Sequence, residues 1–269
     1  MPSRRAFVAA LATPALAARA LAQQKPSERG GPLRLGVDRA LEDSGLGRRL
    51  QHAFGADTGI AVLLVPGPAL AVLEAVKNGE TDAALVNAPA AEQALEQQGL
   101  VHDRRTIAAG EFIVVGPRPA GVRGRLPPPG RSGIEALERI RAQADGDPAS
   151  VVFLSAGDGS GVHVVEQALW RAARIEPVAP WYVSAEPGRS FTAQVRARGA
   201  HALVERGAWT ALGGAPLVVV AEGDPLLVES VHAMRSFRAS HPAAKIFLAW
   251  IGGGHGRAVV ARHGAYRLT

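Results

Sequence analysis

The chain has 269 residues, of which 47% are hydrophobic and 20% charged, and this ordinary globular composition excludes a disordered protein and a collagen-like rod. It contains no cysteine, which excludes disulfide scaffolds, zinc–thiolate sites, iron–sulfur clusters, a cysteine nucleophile and a lipidated N-terminal Cys. The formal net charge is +6, but without the first 22 residues, which hold three Arg and no acid, it is +3, too small an excess to indicate nucleic-acid binding.

The N-terminus has the parts of an export signal. A basic segment at 1–8 is followed by apolar residues to position 16, and Ala-Leu-Ala at 20–22 matches the pattern that signal peptidase cleaves. The apolar stretch is too short to span a bilayer of about 30 Å. The segment 3–8 resembles a twin-arginine signal, with an ordinary secretory signal as the alternative. We therefore predict a signal peptide over 1–22, a flexible leader over 23–32, and a soluble, non-lipidated periplasmic protein.

Apolar runs and helical periods alternate along residues 33–116. Short apolar runs are typical of buried strands, and the 3.6-residue period is typical of amphipathic helices. The alternation indicates a mainly parallel sheet covered by helices. In chain order we predict a strand at 33–37, a helix at 45–57, a strand at 60–65, a helix at 69–78, a strand at 83–87, a helix at 90–98 and a strand at 112–115.

The same pattern restarts after a Pro- and Gly-rich loop at 117–130. We predict helices at 133–144, 160–173, 191–198, 208–212, 242–251 and 256–262, and strands at 151–154, 181–184, 202–205 and 217–221. Two α/β lobes fit this layout if the chain crosses between them near 116–120 and again near 221–225. The first lobe is then discontinuous, formed by 33–116 and 222–269, and the second lobe is 117–221, as in a hinged clamshell binding protein.

Two loops of similar sequence lie where open α/β sheets bind ligands, after a strand and before a helix. They are LEDSGL at 41–46 and LSAGDGSGVH at 154–163. Backbone N–H groups and the positive end of a helix bind anions. One such loop from each lobe would let an oxyanion close the clamshell. Helix capping by Ser or Asp explains both loops equally well.

The Gly-rich segment 157–161 raises enzyme alternatives that it does not satisfy. It lacks the Lys of a Walker motif and the third Gly of a dinucleotide fingerprint is out of place. Asp158 stands where a nucleophile elbow has Gly. Ser160 and His163 are three residues apart, but a Ser that begins a helix is ordinarily engaged by its own helix. We therefore expect no catalytic residue, no metal site and no cofactor.

Segments spread over 33–262 carry a more specific signal than any single loop. They read EDSGL at 42–46, GETDAALVNAPAAE at 79–92, EFIVVGP at 111–117, FLSAGDGSGVH at 153–163, QALWRAA at 167–173, IEP at 175–177, WY at 181–182, GA at 199–200, ERG at 205–207 and EGDP at 222–225. In this order and spacing they resemble the extracellular tungstate-binding proteins of ABC importers. The resemblance implies a type II periplasmic binding fold with two α/β lobes, each a mainly parallel sheet covered by helices. It also implies a receptor that delivers an oxyanion to a permease in the inner membrane.

The chain departs from the family pattern at the loops that the resemblance implies for ligand binding. Asp38 and Ala40 stand in place of a Thr/Ser run, and Ala156 and Val162 replace an Arg and a Thr. Pro residues at 66 and 68 each remove a backbone donor. Because a charge-assisted hydrogen bond contributes about 1.5–3 kcal/mol, these losses weaken anion binding unless other groups compensate.

The remaining groups define a candidate ligand site. Arg39 and Arg189 are expected to supply positive charge, while Asp38 opposes an anion unless Arg39 neutralises it. We predict that tungstate or molybdate is held by Arg39, Ser44, Gly67, Ser155, Ser160, Gly161 and Arg189. The alternatives are a different small solute, or a sensor or interaction protein that has lost oxyanion binding. We expect a monomer whose protein partner is the ABC permease, with no nucleic-acid partner.

Overall fold

The computed structural model describes residues 30–119, 121–122 and 124–269. The signal peptide predicted over 1–22 lies outside the described residues and stays a prediction. Within those ranges, none of the helices combines the length and the apolar composition needed to cross a membrane.

Eight elements precede the Pro- and Gly-rich loop. They are strand β1 (Leu33–Asp38), helices α1 (Arg39–Asp43) and α2 (Leu46–Thr58), strand β2 (Val62–Gly67), helix α3 (Ala69–Asn78), strand β3 (Ala83–Val86), helix α4 (Pro89–Gln97) and strand β4 (Val101–Gly116). The predicted helix at 69–78 is confirmed residue for residue. Strand β4 begins eleven residues before the strand predicted at 112, because polar residues at 102–106 hide its alternation.

Helix α1 was expected to be part of a loop. It forms because the Asp38 side chain caps it, with Oδ1 accepting a hydrogen bond from the Ala40 N–H at 2.9 Å. A helix of five residues is too short for a 3.6-residue period to be visible in the sequence. The predicted loop at 41–46 is therefore helical as far as Asp43.

The second half of the chain begins with helix α5 (Gly133–Gly146), and Ser residues cap α5, α6 and α7 as they do in many helices. The further elements are β5 (Phe153–Ser155), α6 (Gly161–Ala172), β6 (Tyr182–Ser184), α7 (Phe191–Arg198), β7 (Ala202–Glu205), α8 (Arg206–Leu212), β8 (Val218–Ala221), β9 (Val228–Ser236), α9 (Pro242–Gly252) and α10 (Gly254–Ala261). Strand β9 was not predicted, because the buried polar residues Glu229 and His232 interrupt its apolar pattern.

The strands form one large mixed sheet and one small parallel sheet. The large sheet has the order β2-β1-β3-β9-β4-β7, with β8 also paired to β4, and the small sheet pairs β5 with β6. Strand β1 is parallel to β2 and β3, whereas β9 is antiparallel to β3 and β4, and β7 and β8 are antiparallel to β4. The prediction of mainly parallel sheets is therefore wrong. The cause is the unpredicted strand β9, which returns alongside the long strand β4.

Buried side chains form separate cores on the two sides of the large sheet's long strand. One core gathers around β1, α2 and α9, and another around α5, β5 and α6; we call the two regions the first and second lobe. Strand β4 serves both, with Ile107 and Ala108 in the first core and Phe112 and Val114 in the second. The lobe boundaries at 116/117 and 221/222 stay a prediction.

Between the residues of the two cores, β4 has a closely packed glycine, Gly110, on which a first prediction rests. A Cβ at Gly110 would lie 3.0 Å from the ring of Tyr266 and would overlap the buried carboxylate of Glu229. We expect Gly110→Ala to lower the free energy of unfolding by about 1–3 kcal/mol in urea denaturation, because overpacking forces neighbours to shift. Gly146→Ala is the matched control, since a Cβ there meets nothing within 4 Å. Equal stability of the two variants would contradict this account.

Candidate functional site

The beginning of α6 in the second lobe packs against the first lobe. The Gly161 N–H points to Asp38 Oδ2 at 3.5 Å. One turn away, the Leu70 N–H at the start of α3 donates to the Gly159 carbonyl at 3.1 Å. The loop at 154–163 therefore contacts the first lobe at Asp38 and at the start of α3, and both of these contacts lie outside the segment 41–46 that was expected to face it.

The Asp38 carboxylate lies at the centre of this contact and is fully buried. Besides the Gly161 N–H, it accepts from Ala40 at the start of α1. Burial raises the pKa of Asp38 to about 6, and the backbone N–H groups of Ala40, Gly161 and Ala69 oppose that rise while the charge of Asp158 adds to it. N–H groups from both lobes thus converge on one negative charge, which is the chemistry of an anion site.

Asn87, directly after β3, lies against Gly161 at the contact between the lobes. A Cβ at Gly161 would overlap its side-chain amide, so the close approach of α6 requires glycine here. Asn87 is 1% exposed, and its Nδ2 donates to Glu229 Oε1 at 2.5 Å. Among the described residues its Oδ1 has no hydrogen-bond partner. An unpaired buried oxygen costs about 1–3 kcal/mol, so this amide is a polar group available to a ligand.

Two buried carboxyl groups lie behind Asn87. Glu205 caps α8, accepting from the N–H groups of Gly207 and Ala208, each at 2.6 Å. Burial raises the pKa of Glu205 to about 7. Burial, and then the charge of Glu205, raise the pKa of Glu229 well above its usual range. Because two adjacent carboxylates do not both ionise readily in a buried place, Glu229 holds the proton at neutral pH.

The predicted residues Gly67, Ser160 and Gly161 lie around Asp38. Gly67 is paired with Asp38 in the register of β1 and β2. Ser160 caps α6, its Oγ accepting from the His163 N–H at 3.4 Å. The structure brings these three residues together, and their role in holding a ligand stays a prediction.

The hydroxyl groups of Ser44 and Ser155 have structural partners. Ser44 Oγ donates to the Leu41 carbonyl at 2.9 Å and accepts from Tyr266 Oη at 3.0 Å. Ser155 Oγ donates to Glu166 Oε2 at 2.8 Å. Both hydroxyls would have to give up or share these bonds to contact an oxyanion.

The two arginines differ in position. Arg39 is the first residue of α1, next to Asp38, and its charge helps to hold down the pKa of Asp43, which burial raises. The Arg189 side chain is 71% exposed and pairs with Glu186 at 3.0 Å. Its neighbour Ser190 is the residue that reaches the first lobe, donating to Asp43 Oδ2 at 3.0 Å.

Asn87, Glu205 and Glu229 are site residues that no sequence motif singled out. Asn87 stood in a segment of family resemblance, so its position after a buried strand was the available signal. Glu229 lies on the strand that was not predicted, and no pattern marked it.

The fold and the site together define a two-lobed solute-binding protein. A family model described as a PBP (periplasmic binding protein) superfamily domain matches residues 37–251, and the chain belongs to this superfamily. The tungstate-binding protein TupA of Peptoclostridium acidaminophilum is 29% identical over 243 residues, which are 87% of this chain and 82% of that protein.

Two further relatives agree. An ABC transporter anion-binding protein of Haloferax volcanii is 33% identical over 183 residues, 66% of this chain, and the chain spans 50% of that protein's length. The crystal structure of the tungstate ABC transporter from Geobacter sulfurreducens superposes with a TM-score of 0.70 at 25% identity, covering 86% of this chain and 98% of that chain. The two-lobed α/β fold and the resemblance to tungstate-binding proteins are confirmed.

The network around Ser155 generates a second prediction. Besides Ser155, Glu166 accepts from Tyr182 Oη at 2.7 Å and Trp170 Nε1 at 3.2 Å, yet burial raises its pKa to about 7. A pKa raised by folding stabilises the native state at low pH, and this contribution is lost as pH rises through about 7.

Glu166→Gln has no carboxyl group to ionise at this position, so its stability should not fall in this way. Relative to the wild type, its free energy of unfolding should therefore rise by on the order of 1–3 kcal/mol between pH 5 and pH 8. Urea denaturation at both pH values measures the difference. Glu138→Gln, which removes an exposed carboxylate of α5, is the matched control and should follow the wild type. Parallel pH profiles for all three proteins would refute the assignment.

Proposed function

We propose that this protein is the receptor of an ABC importer and binds a small oxyanion, such as tungstate or molybdate, in the cleft between its lobes. The observation that carries the proposal is the convergence of backbone N–H groups from both lobes at Asp38, with Gly161 on one side and the start of α3 on the other. The names of the relatives, which are tungstate- or anion-binding proteins of ABC transporters, support the same ligand class.

Closure follows from where the donors lie. An oxyanion that accepts hydrogen bonds from α3 and from α6 is bound by both lobes only when they are together. Its affinity for the closed form therefore exceeds that for the open form, and binding shifts the population towards closure.

The remaining features of the proposal concern location and hinge. We place the protein in the periplasm as a non-lipidated monomer, on the basis of the export-signal pattern at 1–22. The crossings between the lobes are placed near 116–120 and 221–225, with the first lobe formed by 33–116 and 222–269 and the second by 117–221. We assign no catalytic role, since the relatives described above are named as binding proteins.

One observation favours a second candidate function. Ala156 and Val162, which replace polar residues of the family pattern, pack into the second core, and Asp38 places a negative charge in the site. A receptor for a different small solute, or a protein that has lost oxyanion binding, is consistent with both features.

Isothermal titration with tungstate, molybdate, sulfate and phosphate tests the proposal. We expect heat of binding with at least one of them. Gly161→Ala should weaken that binding about tenfold or more, because its Cβ would collide with Asn87 when the lobes close. Gly146→Ala, far from the cleft on α5, should bind as the wild type does. If none of the four anions produces heat or a thermal shift, the oxyanion assignment is wrong and organic solutes become the candidates.

A further inference from the structure

The Asp38 side chain makes the contacts that an anionic ligand of this cleft would make. Its two oxygens point in different directions, Oδ1 to the Ala40 N–H of its own lobe and Oδ2 to the Gly161 N–H of the other lobe. The carboxylate is fully buried, and the first residue of α3, Ala69, directs its N–H at the same group. One side chain thus supplies negative charge to helix ends of both lobes.

The lobes are in direct contact around this carboxylate. The hydrogen bond from Leu70 to Gly159 and the packing of Gly161 on Asn87 surround it. Cavities of about 880 Å³ and 560 Å³ lie elsewhere, against the Pro-rich loop and around Arg206. Asp38, Asn87 and Gly161 line neither of them, and the carboxylate already accepts the helix-end N–H groups that a ligand there would need.

Charge makes simultaneous occupancy unfavourable. The charge of Asp158 acts on Asp38, and the charge of Asp38 acts in turn on the protonated Glu229, so the ionised neighbour that faces Asp38 is also an acid. Arg39, the adjacent cation, lies partly exposed at the start of α1. A dianion added beside an ionised Asp38 would meet like charge in a place of low dielectric constant.

We propose that the Asp38 carboxylate is a built-in anion that holds the two lobes together and that an oxyanion must displace in order to bind. The part of this inference that concerns oxyanions rests on the proposed function. The part that concerns closure rests only on the contacts of Asp38. Loss of one charge-assisted hydrogen bond to the competing carboxylate corresponds to roughly tenfold to a hundredfold in affinity.

Two substitutions separate the charge of Asp38 from its size. Asp38→Ser removes the charge and clears the space at the helix ends, whereas Asp38→Asn removes the charge and keeps the shape. Titrated with tungstate at pH 7.5, Asp38→Ser should bind roughly tenfold to a hundredfold more tightly than the wild type, and Asp38→Asn should lie between them. Asp145→Asn, which removes an exposed carboxylate of α5, controls for the change in net charge and should bind as the wild type does.

Closure is measured without any ligand. Because the chain has no cysteine, spin labels attached to Ala71→Cys on α3 and Ala172→Cys on α6, both exposed, report a single distance between the lobes. We expect a short, narrow distance distribution when Asp38 is present and a longer, broader one after Asp38→Ser. Asp145→Asn should leave the short distance unchanged.

The two measurements fail in different ways. Equal distances with and without Asp38 would overturn the inference, as would tungstate binding by the wild type that Asp38→Ser does not strengthen. If neither protein binds any oxyanion but the distance lengthens as expected, the closing role of Asp38 stands and the proposed function is wrong.

Discussion

The contact between the lobes depends on the neutralisation of one buried negative charge by helix ends. Desolvation alone disfavours an ionised Asp38, and the opposing hydrogen bonds come from backbone N–H groups that helices leave unpaired. The Gly161 N–H comes from the opposite lobe, so the hydrogen bond that stabilises the charge of Asp38 also determines where the two lobes contact each other. The absence of a side chain at Gly161 lets α6 approach closely enough to take part.

A second buried acidic centre lies beside the strands β9 and β4. Glu229 on β9 and Glu205 at the start of α8 come from opposite sides of the strand β4, and Asn87 links Glu229 to the cleft. Gly161 thus lies against both Asp38 and Asn87, and Asn87 in turn is hydrogen-bonded to Glu229. The charge of Asp38 also raises the pKa of Glu229, so ionisation of one of these buried acids disfavours ionisation of the other.

Much of this arrangement could be read from the sequence. Apart from the short helix α1, the order of helices and strands up to residue 98 followed from periodicity and glycines, and so did the position of the 154–163 loop at the contact between the lobes. What periodicity could not show was β9, since Glu229 and His232 are polar residues buried on a strand. Without β9, the large sheet was expected to be mainly parallel, whereas β9, β7 and β8 all pair antiparallel to their neighbours. The hydrogen-bond partners of Ser155 and Ser44 could not be predicted from the sequence either, because Glu166 and Tyr266 come close to them only in the folded structure.

Strand β4 affects how the molecule unfolds. It places Ile107 and Ala108 in one core and Phe112 and Val114 in the other without a break in the backbone. If either lobe lost its packing, β4 would lose the buried neighbours that this lobe supplies. Fraying of β4 would then leave its antiparallel partner β9 with an unpaired edge. Because the two lobes share this strand, we expect them to unfold together in a single cooperative transition.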